Sequence, residues 1–384
     1  MHRSEIDSTR VLLVSHGFQK NYECAFANGL HALGVNVLLV SSDQTHYASL
    51  APGLRTLNLR GSQSENRPKW RKFFNLFRYH ALLMLWVAWH RPAVVHAFGL
   101  LHPVWLVGHF QGWWFRRFAG RYVLTVHDTE PHDRGNEQSR QAFVVAFGYA
   151  SHLIVHSKRL AVLLAARLPG RGSDITFMEH GLEPWAGAAD LLPYRHGRPV
   201  KILLFGVLQR YKGLDILLDA LDGIAMSFEL VVAGRCSDQA LRAELSARIA
   251  GHPQTGAIRW RDGYVAEQDV PALFIEADML VLPYRRIDQS GVLFQAYRFG
   301  LPVVATKVGA FEDYVGPAHG EICNPEDAVS LRAAIERLSA RLTLIDRRQL
   351  AESAQALAWP QVVHVLLPVY GMAPSAPDYS VSTC

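Results

Sequence analysis

Two short, uninterrupted apolar runs, residues 279–282 (Met-Leu-Val-Leu) and 303–305 (Val-Val-Ala), bracket a polar stretch with its own punctuation, Pro-Tyr-Arg-Arg-Ile-Asp-Gln-Ser-Gly. Runs of this length without alternation read as strands buried on both faces, as in a parallel sheet covered by helices. The polar middle must then lie at a strand end, where open α/β sheets bind ligands. Ser290 and Gly291 are expected to open a helix running to Gly300. Its first unpaired amides and its dipole favour an anion, such as a phosphate.

The same alternation runs through the chain. A strand at 11–15, the turn His16-Gly17, a helix ending near Gly34 and a strand at 35–40 predict a Rossmann-like half with crossover helices. The turn lacks G-x-G-x-x-G, which weighs against a dinucleotide-dependent oxidoreductase. Further strands are expected at 122–126, 151–156 and 175–178, then at 201–205, 230–233 and 258–264, with a helix at 270–277. Residues 183–199, rich in Gly, Ala and Pro and without periodicity, read as a linker. The expected division is therefore 1–182, linker 183–199, 200–355, and a last helix with a flexible tail over 356–384. A length of 384 residues with 49% hydrophobic residues suits two domains of ordinary size.

In combination, these motifs resemble the family 4 glycosyltransferases. Pro283-Tyr284-Arg285, Ser290-Gly291-Val292, Gly300-Leu301-Pro302-Val303-Val304-Ala305 and Val308-Gly309 follow that family's donor-binding signature in order. Gly206-Val207-Leu208-Gln209-Arg210-Tyr211-Lys212-Gly213 is similar to its Gly-Arg-x-x-x-x-Lys-Gly motif. The resemblance implies an α/β chain of GT-B fold, two Rossmann-like domains facing a cleft, with a C-terminal helix crossing back to the first. It implies a retaining transferase whose donor is a nucleotide diphosphate-sugar, with no metal or other cofactor.

Residue by residue, the resemblance carries Lys212 onto the donor diphosphate, where cations neutralise the leaving group. Val207 stands where the family has Arg, so Arg210 becomes the candidate second cation, against the alternative of a solvated loop arginine. Gly206, Gly234, Ser290, Gly291 and Val292 are carried over as donor contacts. So is Gly17, for which a plain tight turn is the alternative. The family's paired glutamates fall here on Ile287 or Asp288 and on Gln295, so Asp288 is assigned to the sugar and Gln295 to a ribose hydroxyl. Tyr264 and Val265 are weaker candidates near the base, and Glu312 reads as a helix N-terminal charge. His127, closing the strand at 122–126 before Asp128, matches a family histidine that faces the donor sugar. The pairs His127-Asp128 and His132-Asp133 also raise a metal site, but the chain has no Asp-x-Asp.

Charge is distributed unevenly. Residues 66–127 hold no Asp or Glu but nine Arg and Lys, with six of the nine tryptophans, leaving the remainder net acidic. Cations beside amphipathic aromatics suit an anionic lipid surface. Trp70, Arg71, Lys72 and Phe73, with Trp113, Trp114, Arg116 and Arg117, are the candidate membrane contacts. Trp86, Trp89 and Trp105 are expected in the core. Nucleic acid would attract the same patch, but no nucleic-acid motif accompanies it. No apolar run reaches a membrane-spanning length of about 18 residues, the N-terminus does not read as a secretory signal, and the four cysteines show no paired spacing. The expectation is a cytoplasmic protein, peripheral on the inner face of the plasma membrane. It would move a hexose onto a lipid-linked or polyprenyl-linked glycan acceptor. A soluble acceptor, or a non-catalytic partner of the same fold, are the alternatives.

Overall fold

The computed structural model describes residues 11–15, 20–63, 68–100, 107–127, 137–182, 191, 194, 196–287 and 290–373. Gly17, Trp105, Asp128, His132, Asp133 and Asp288 lie outside the described residues. The chain divides into two compact units, residues 1–181 with 357–384, and residues 182–356.

The first unit is a seven-stranded parallel sheet. Its elements are β1 (Val11–Val14), α1 (Lys20–Ala32), β2 (Val37–Ser41), β3 (Arg55–Asn58), α2 (Lys69–His90), β4 (Val94–Ala97), α3 (His109–Phe118), β5 (Arg121–Val126), α4 (Glu137–Tyr149), β6 (His152–Val155), α5 (Lys158–Arg167) and β7 (Ile175–Phe177). The strand order is β3-β2-β1-β4-β5-β6-β7. Every side chain of β1, β2 and β4 is buried, as expected of central strands covered on both faces. The order reverses direction beside β1, so the strand ends of β1 and β4 form a topological switch point.

The second unit repeats the plan with six strands. It contains β8 (Val200–Phe205), α6 (Leu214–Leu221), β9 (Phe228–Ala233), α7 (Gln239–Ala250), β10 (Ile258–Arg261), α8 (Val270–Glu276), β11 (Met279–Leu282), α9 (Gly291–Arg298), β12 (Val303–Thr306), α10 (Phe311–Tyr314), β13 (Gly320–Cys323), α11 (Ala328–Ala340) and α12 (Arg347–Ser353). The order β10-β9-β8-β11-β12-β13, all parallel, puts its switch point between β8 and β11. Part of the expected linker packs on this unit: Arg198 grips Asp278 with two hydrogen bonds of 2.7 Å, and Tyr194 rests against the core.

The chain then returns to the first unit as two short helices rather than one, α13 (Trp359–Val363) and α14 (Leu366–Val369). Trp359, Val362, Val363, Leu366 and Leu367 enter the same core cluster as β1 and α1. Gly181 makes room for them, since a Cβ there would stand 2.1 Å from the Trp359 ring.

Candidate functional site

In the second unit, β8 ends at Phe205, just before Gly206, and a 3-10 turn carries Arg210–Lys212 back over the strand end. Lys212 is only 6% exposed, and its Nζ donates to the Phe205 carbonyl at 3.1 Å. The ammonium lies 5.1 Å from the centre of the Tyr284 ring, close enough for a cation–π attraction. No carboxylate pairs with it among the described residues. Burial lowers its pKa, and neighbouring Tyr211 partly restores it. A buried, unpaired ammonium is costly to keep, which marks it as a functional candidate.

Gly206 is required beside that ammonium. Its φ is +102°, and an added Cβ would meet Nζ at 2.7 Å and the Val292 Cγ2 at 3.7 Å. Lys212, Gly206 and Val292 therefore converge on one point. Gly234 lies beneath them, where a Cβ would stand 2.0 Å from the Gly206 carbonyl. Its role in this structure is to let the ends of β8 and β9 approach.

Ser290 is the residue before α9, buried, with its side chain making no cap to the helix. Gly291 and Val292 supply the first amides of the helix, so the anion-binding end expected from sequence lies at the switch point. One turn later the Gln295 Oε1 is buried with no partner among the described residues, while the Tyr284 hydroxyl is buried close to the Ser290 side chain. Burial raises the Tyr284 phenol to about 12, so the group is a neutral donor. The Lys212 ammonium suits an anionic group, and the unpartnered Gln295 Oε1, an acceptor, suits a hydroxyl donor.

Arg210 is engaged elsewhere. Its guanidinium makes a two-pronged pair with Glu244 on α7, at 3.0 and 2.5 Å, on the surface. Arg285, which sequence reasoning quoted without a role, grips Asp215 with two hydrogen bonds of 2.9 and 2.7 Å and also donates to the Arg210 carbonyl at 2.8 Å. It thereby holds the turn that positions Lys212. Burial alone would raise the Asp215 carboxyl, but the Arg285 pair, together with the backbone amides of Asp215 and Ile216, outweighs it and keeps the group below its usual range. Tyr264 is fully open to solvent at 79% exposure, and Glu312 pairs with Lys307 at 2.9 Å.

In the first unit, three adjacent parallel strands each end near a histidine: His127 after β5, His156 after β6 and His180 after β7. The ring centres of His127 and His156 are 5.5 Å apart, and those of His156 and His180 are 5.6 Å apart. Tyr22, from the first turn of α1, lies 5.4 Å from both outer rings. His156 Nδ1 meets the Met178 carbonyl at 2.9 Å, so it must donate there, and Nε2 accepts from the Tyr22 hydroxyl at 2.8 Å. His96, on β4, is bonded to Tyr370 and Thr125. Burial holds His127 and His180 down at about 4, and His96 at about 3. At neutral pH the cluster is an array of neutral imidazoles. No group of three or more His, Cys, Asp or Glu is placed to share a metal ion among the described residues. Of the cluster, only His127 had been assigned a catalytic role from sequence.

The aromatic segment is resolved into two faces. Along α2, Tyr79, Leu83 and Val87 pack on the core, while Trp70, Phe73, Phe74, Phe77, Leu85 and Trp89 face outward. Trp89, expected inside, is 74% exposed because it falls on the outer stripe, ten residues past Tyr79. Trp114, expected at the surface, instead packs on the core and donates to the Met84 carbonyl at 3.0 Å. Trp113 remains exposed, as do Arg71, Lys72, Arg116 and Arg117. Arg71 lies over the Trp70 ring at 5.1 Å. No helix among the described residues is long and apolar enough to cross a membrane.

Residues 199–341 match the family described as "Glycosyl transferases group 1", so the second unit is of the group 1 glycosyltransferase superfamily. The chain is 32% identical over 149 residues to the D-rhamnosyltransferase WbpZ of Pseudomonas aeruginosa, covering 36% of each chain. It is 26% identical over 147 residues to the GDP-mannose:glycolipid 4-beta-D-mannosyltransferase of Xanthomonas campestris pv. campestris, covering 37% of this chain and 41% of that one. The chain thus spans well under half the length of these curated relatives. Among solved structures, Anabaena Alr3699/HepE in complex with UDP superposes with a TM-score of 0.71 at 14% identity, over 94% of this chain and 99% of that one. That likeness shows the fold, which is GT-B.

Proposed function

We propose that the chain is a retaining glycosyltransferase that moves a hexose from a nucleotide diphosphate-sugar to a hydroxyl of a lipid-linked sugar, in exopolysaccharide or surface-glycan synthesis. The observation that carries the donor half is Lys212, a buried ammonium without a carboxylate partner, beside the N-terminus of α9. As the bond from the anomeric carbon to the departing phosphate breaks, charge grows on that phosphate. The Lys212 ammonium and the first amides of α9 are preorganised to take it. The acceptor oxygen forms the new bond on the same face, and its proton leaves on the departing phosphate. Gln295, whose Oε1 is buried and unpartnered, is assigned to a ribose hydroxyl. The chemistry proposed needs no metal.

The first unit is assigned the acceptor, with His127 on that side of the reaction. The lipid-linked character of the acceptor rests on the outward aromatic stripe of α2. An exposed apolar face of this extent, edged with cations, fits a peripheral seat on an anionic membrane. One of the relatives, the mannosyltransferase of Xanthomonas campestris pv. campestris, is named for a glycolipid acceptor.

The test is transfer from a panel of radiolabelled nucleotide-sugars into the organic-extractable fraction of membranes, with Lys212→Ala as control. Label from one donor in the lipid phase, absent with the variant, is the expected result. Consumption of a donor in solution without lipid labelling would replace the lipid acceptor with a soluble one. A second reading, a nucleotide-binding partner without transfer activity, is favoured by the pairing of Arg210 with Glu244 and by Val207 in place of a cation. Tight binding of a nucleoside diphosphate without turnover of any donor would support it.

A further inference from the structure

Four arginines border a groove at the N-terminal ends of β5, β6 and β7, opposite the histidine cluster at their C-terminal ends. A cavity of about 450 Å³ is lined by Arg116, Arg121 and Arg171, with Asp174 and the backbone at the C-terminal end of α4. A second cavity of about 440 Å³ adjoins it, sharing Arg116, Gly148 and Tyr149, and adds Trp113, Arg117 and Val145. Asp174 is the single acid among these lining residues, and it is bound to Arg171 at 3.0 Å.

Part of this arrangement caps α4. Arg171 donates to the carbonyls of Phe147, Gly148 and Ala150, and Arg116 donates to that of Gly148 at 3.2 Å. Cations at a helix C-terminus are a common stabilising device. Arg121 likewise caps α14, donating to the Pro368 and Val369 carbonyls, whereas capping does not account for Arg117, whose guanidinium lies over the Phe118 ring. Nor does capping account for the open volume between these arginines. The partners of these arginines are neutral carbonyls, apart from Asp174, so the groove keeps a surplus of positive charge. Guanidinium groups set around a cavity are matched to phosphate oxygens.

The groove opens beside Trp113 and Val145, both about half exposed. Trp113 lies on α3, and α3 is joined to α2 by the Trp114 bond to Met84. The outward aromatic stripe of α2 and the arginine groove therefore belong to neighbouring helices of the first unit. We infer that the groove seats the phosphodiester headgroup of an anionic lipid, drawn from the membrane on which the α2 stripe rests. This rests on the membrane seat of the preceding subsection and adds to it a built headgroup pocket. The aromatics give adhesion to any bilayer, and the groove gives preference for anionic lipid.

The test is sedimentation of the full chain with vesicles of phosphatidylcholine alone or with one-fifth phosphatidylglycerol. Wild type is expected to bind both and to prefer the anionic vesicles. The double variant Arg116→Gln/Arg117→Gln is expected to lose about thirtyfold in partitioning to anionic vesicles, the effect of two basic charges near the surface, with neutral vesicles bound as before. Phe73→Ser/Phe77→Ser is expected to weaken both. Arg117→Gln alone leaves the Arg116 bond to α4 in place, and a partial loss from it shows that the effect is not one of misfolding. An unchanged anionic preference in the double variant overturns the inference, leaving that preference to Arg71, Lys72 and Arg78. Failure of wild type to bind either vesicle overturns the membrane seat itself. If glycerol phosphate then stabilises wild type against heat but not the double variant, the groove takes a soluble phosphoester instead of a lipid.

Discussion

The Tyr22 hydroxyl donates to His156 Nε2 at 2.8 Å, tying the first turn of α1 to the end of β6. Because the other ring nitrogen is committed to the Met178 carbonyl, His156 is a neutral acceptor of fixed orientation. Tyr22→Phe leaves Nε2 buried without a donor. The expected cost is about 1–3 kcal/mol, read as a lower midpoint in urea unfolding. An unchanged midpoint would show that the bond contributes nothing net.

Acid should destabilise the first unit. The folded-state pKa values of His127 and His180 are held near 4, and that of His96 near 3, by burial. In the unfolded chain they return to about 6.5. Between those values the unfolded state binds more protons, so stability rises with pH. It is complete above about 6.5 and is lost progressively as pH falls toward 4. Calorimetry across pH 4–7 checks this, and a flat profile in that window would contradict it.

Lys212→Met separates catalysis from stability. Removal of a buried, unpaired charge in favour of an apolar side chain of similar length is expected to leave the melting temperature unchanged or raised. Transfer should fall by at least about a hundredfold, the scale of losing one preorganised charge-stabilising group. A variant that retains transfer would remove Lys212 from the reaction.

Gly206→Ala acts on the same ammonium from the backbone side. Alanine at φ +102°, with its Cβ 2.7 Å from Nζ, is expected to cost about 1–3 kcal/mol of stability and to displace Lys212. Weaker nucleoside diphosphate binding by titration calorimetry, with the fold retained by circular dichroism, is the expected outcome. Unchanged affinity would mean that Lys212 does not reach the ligand.

Much of the second unit could be read from the chain because its signals are local. The run 279–282, the Ser290-Gly291 turn and the helix behind it depend on neighbours within a few residues, and they form β11 and α9 as expected. The pairing of Arg210 with Glu244 was not legible: the partners are 34 residues apart, on a loop and a helix whose facing sides are set by packing. The histidine cluster was hidden for the same reason. Tyr22 and His156 are 134 residues apart, and only the parallel order β5-β6-β7 brings successive strand ends together. Trp89 was misplaced because the second half of α2 is apolar nearly all round, so periodicity alone does not say which side meets the sheet, and Trp114 because on α3 it stands beside Trp113, and only packing against Met84 of α2 tells the two apart. The exposed stripe on α2 became visible only when Tyr79, Leu83 and Val87 were found facing inward.

The return of α13 and α14 to the first unit has a consequence for biogenesis. Trp359, Val362, Val363 and Leu366 complete a core whose other members, such as Val11 and Phe26, leave the ribosome more than three hundred residues earlier. Unlike a domain that closes as it is translated, the first unit waits, with apolar surface uncovered, while the whole second unit is made. A nascent chain of this design is expected to engage chaperones until about residue 370 emerges, and truncation just before Trp359 should leave an aggregation-prone first unit beside a folded second one.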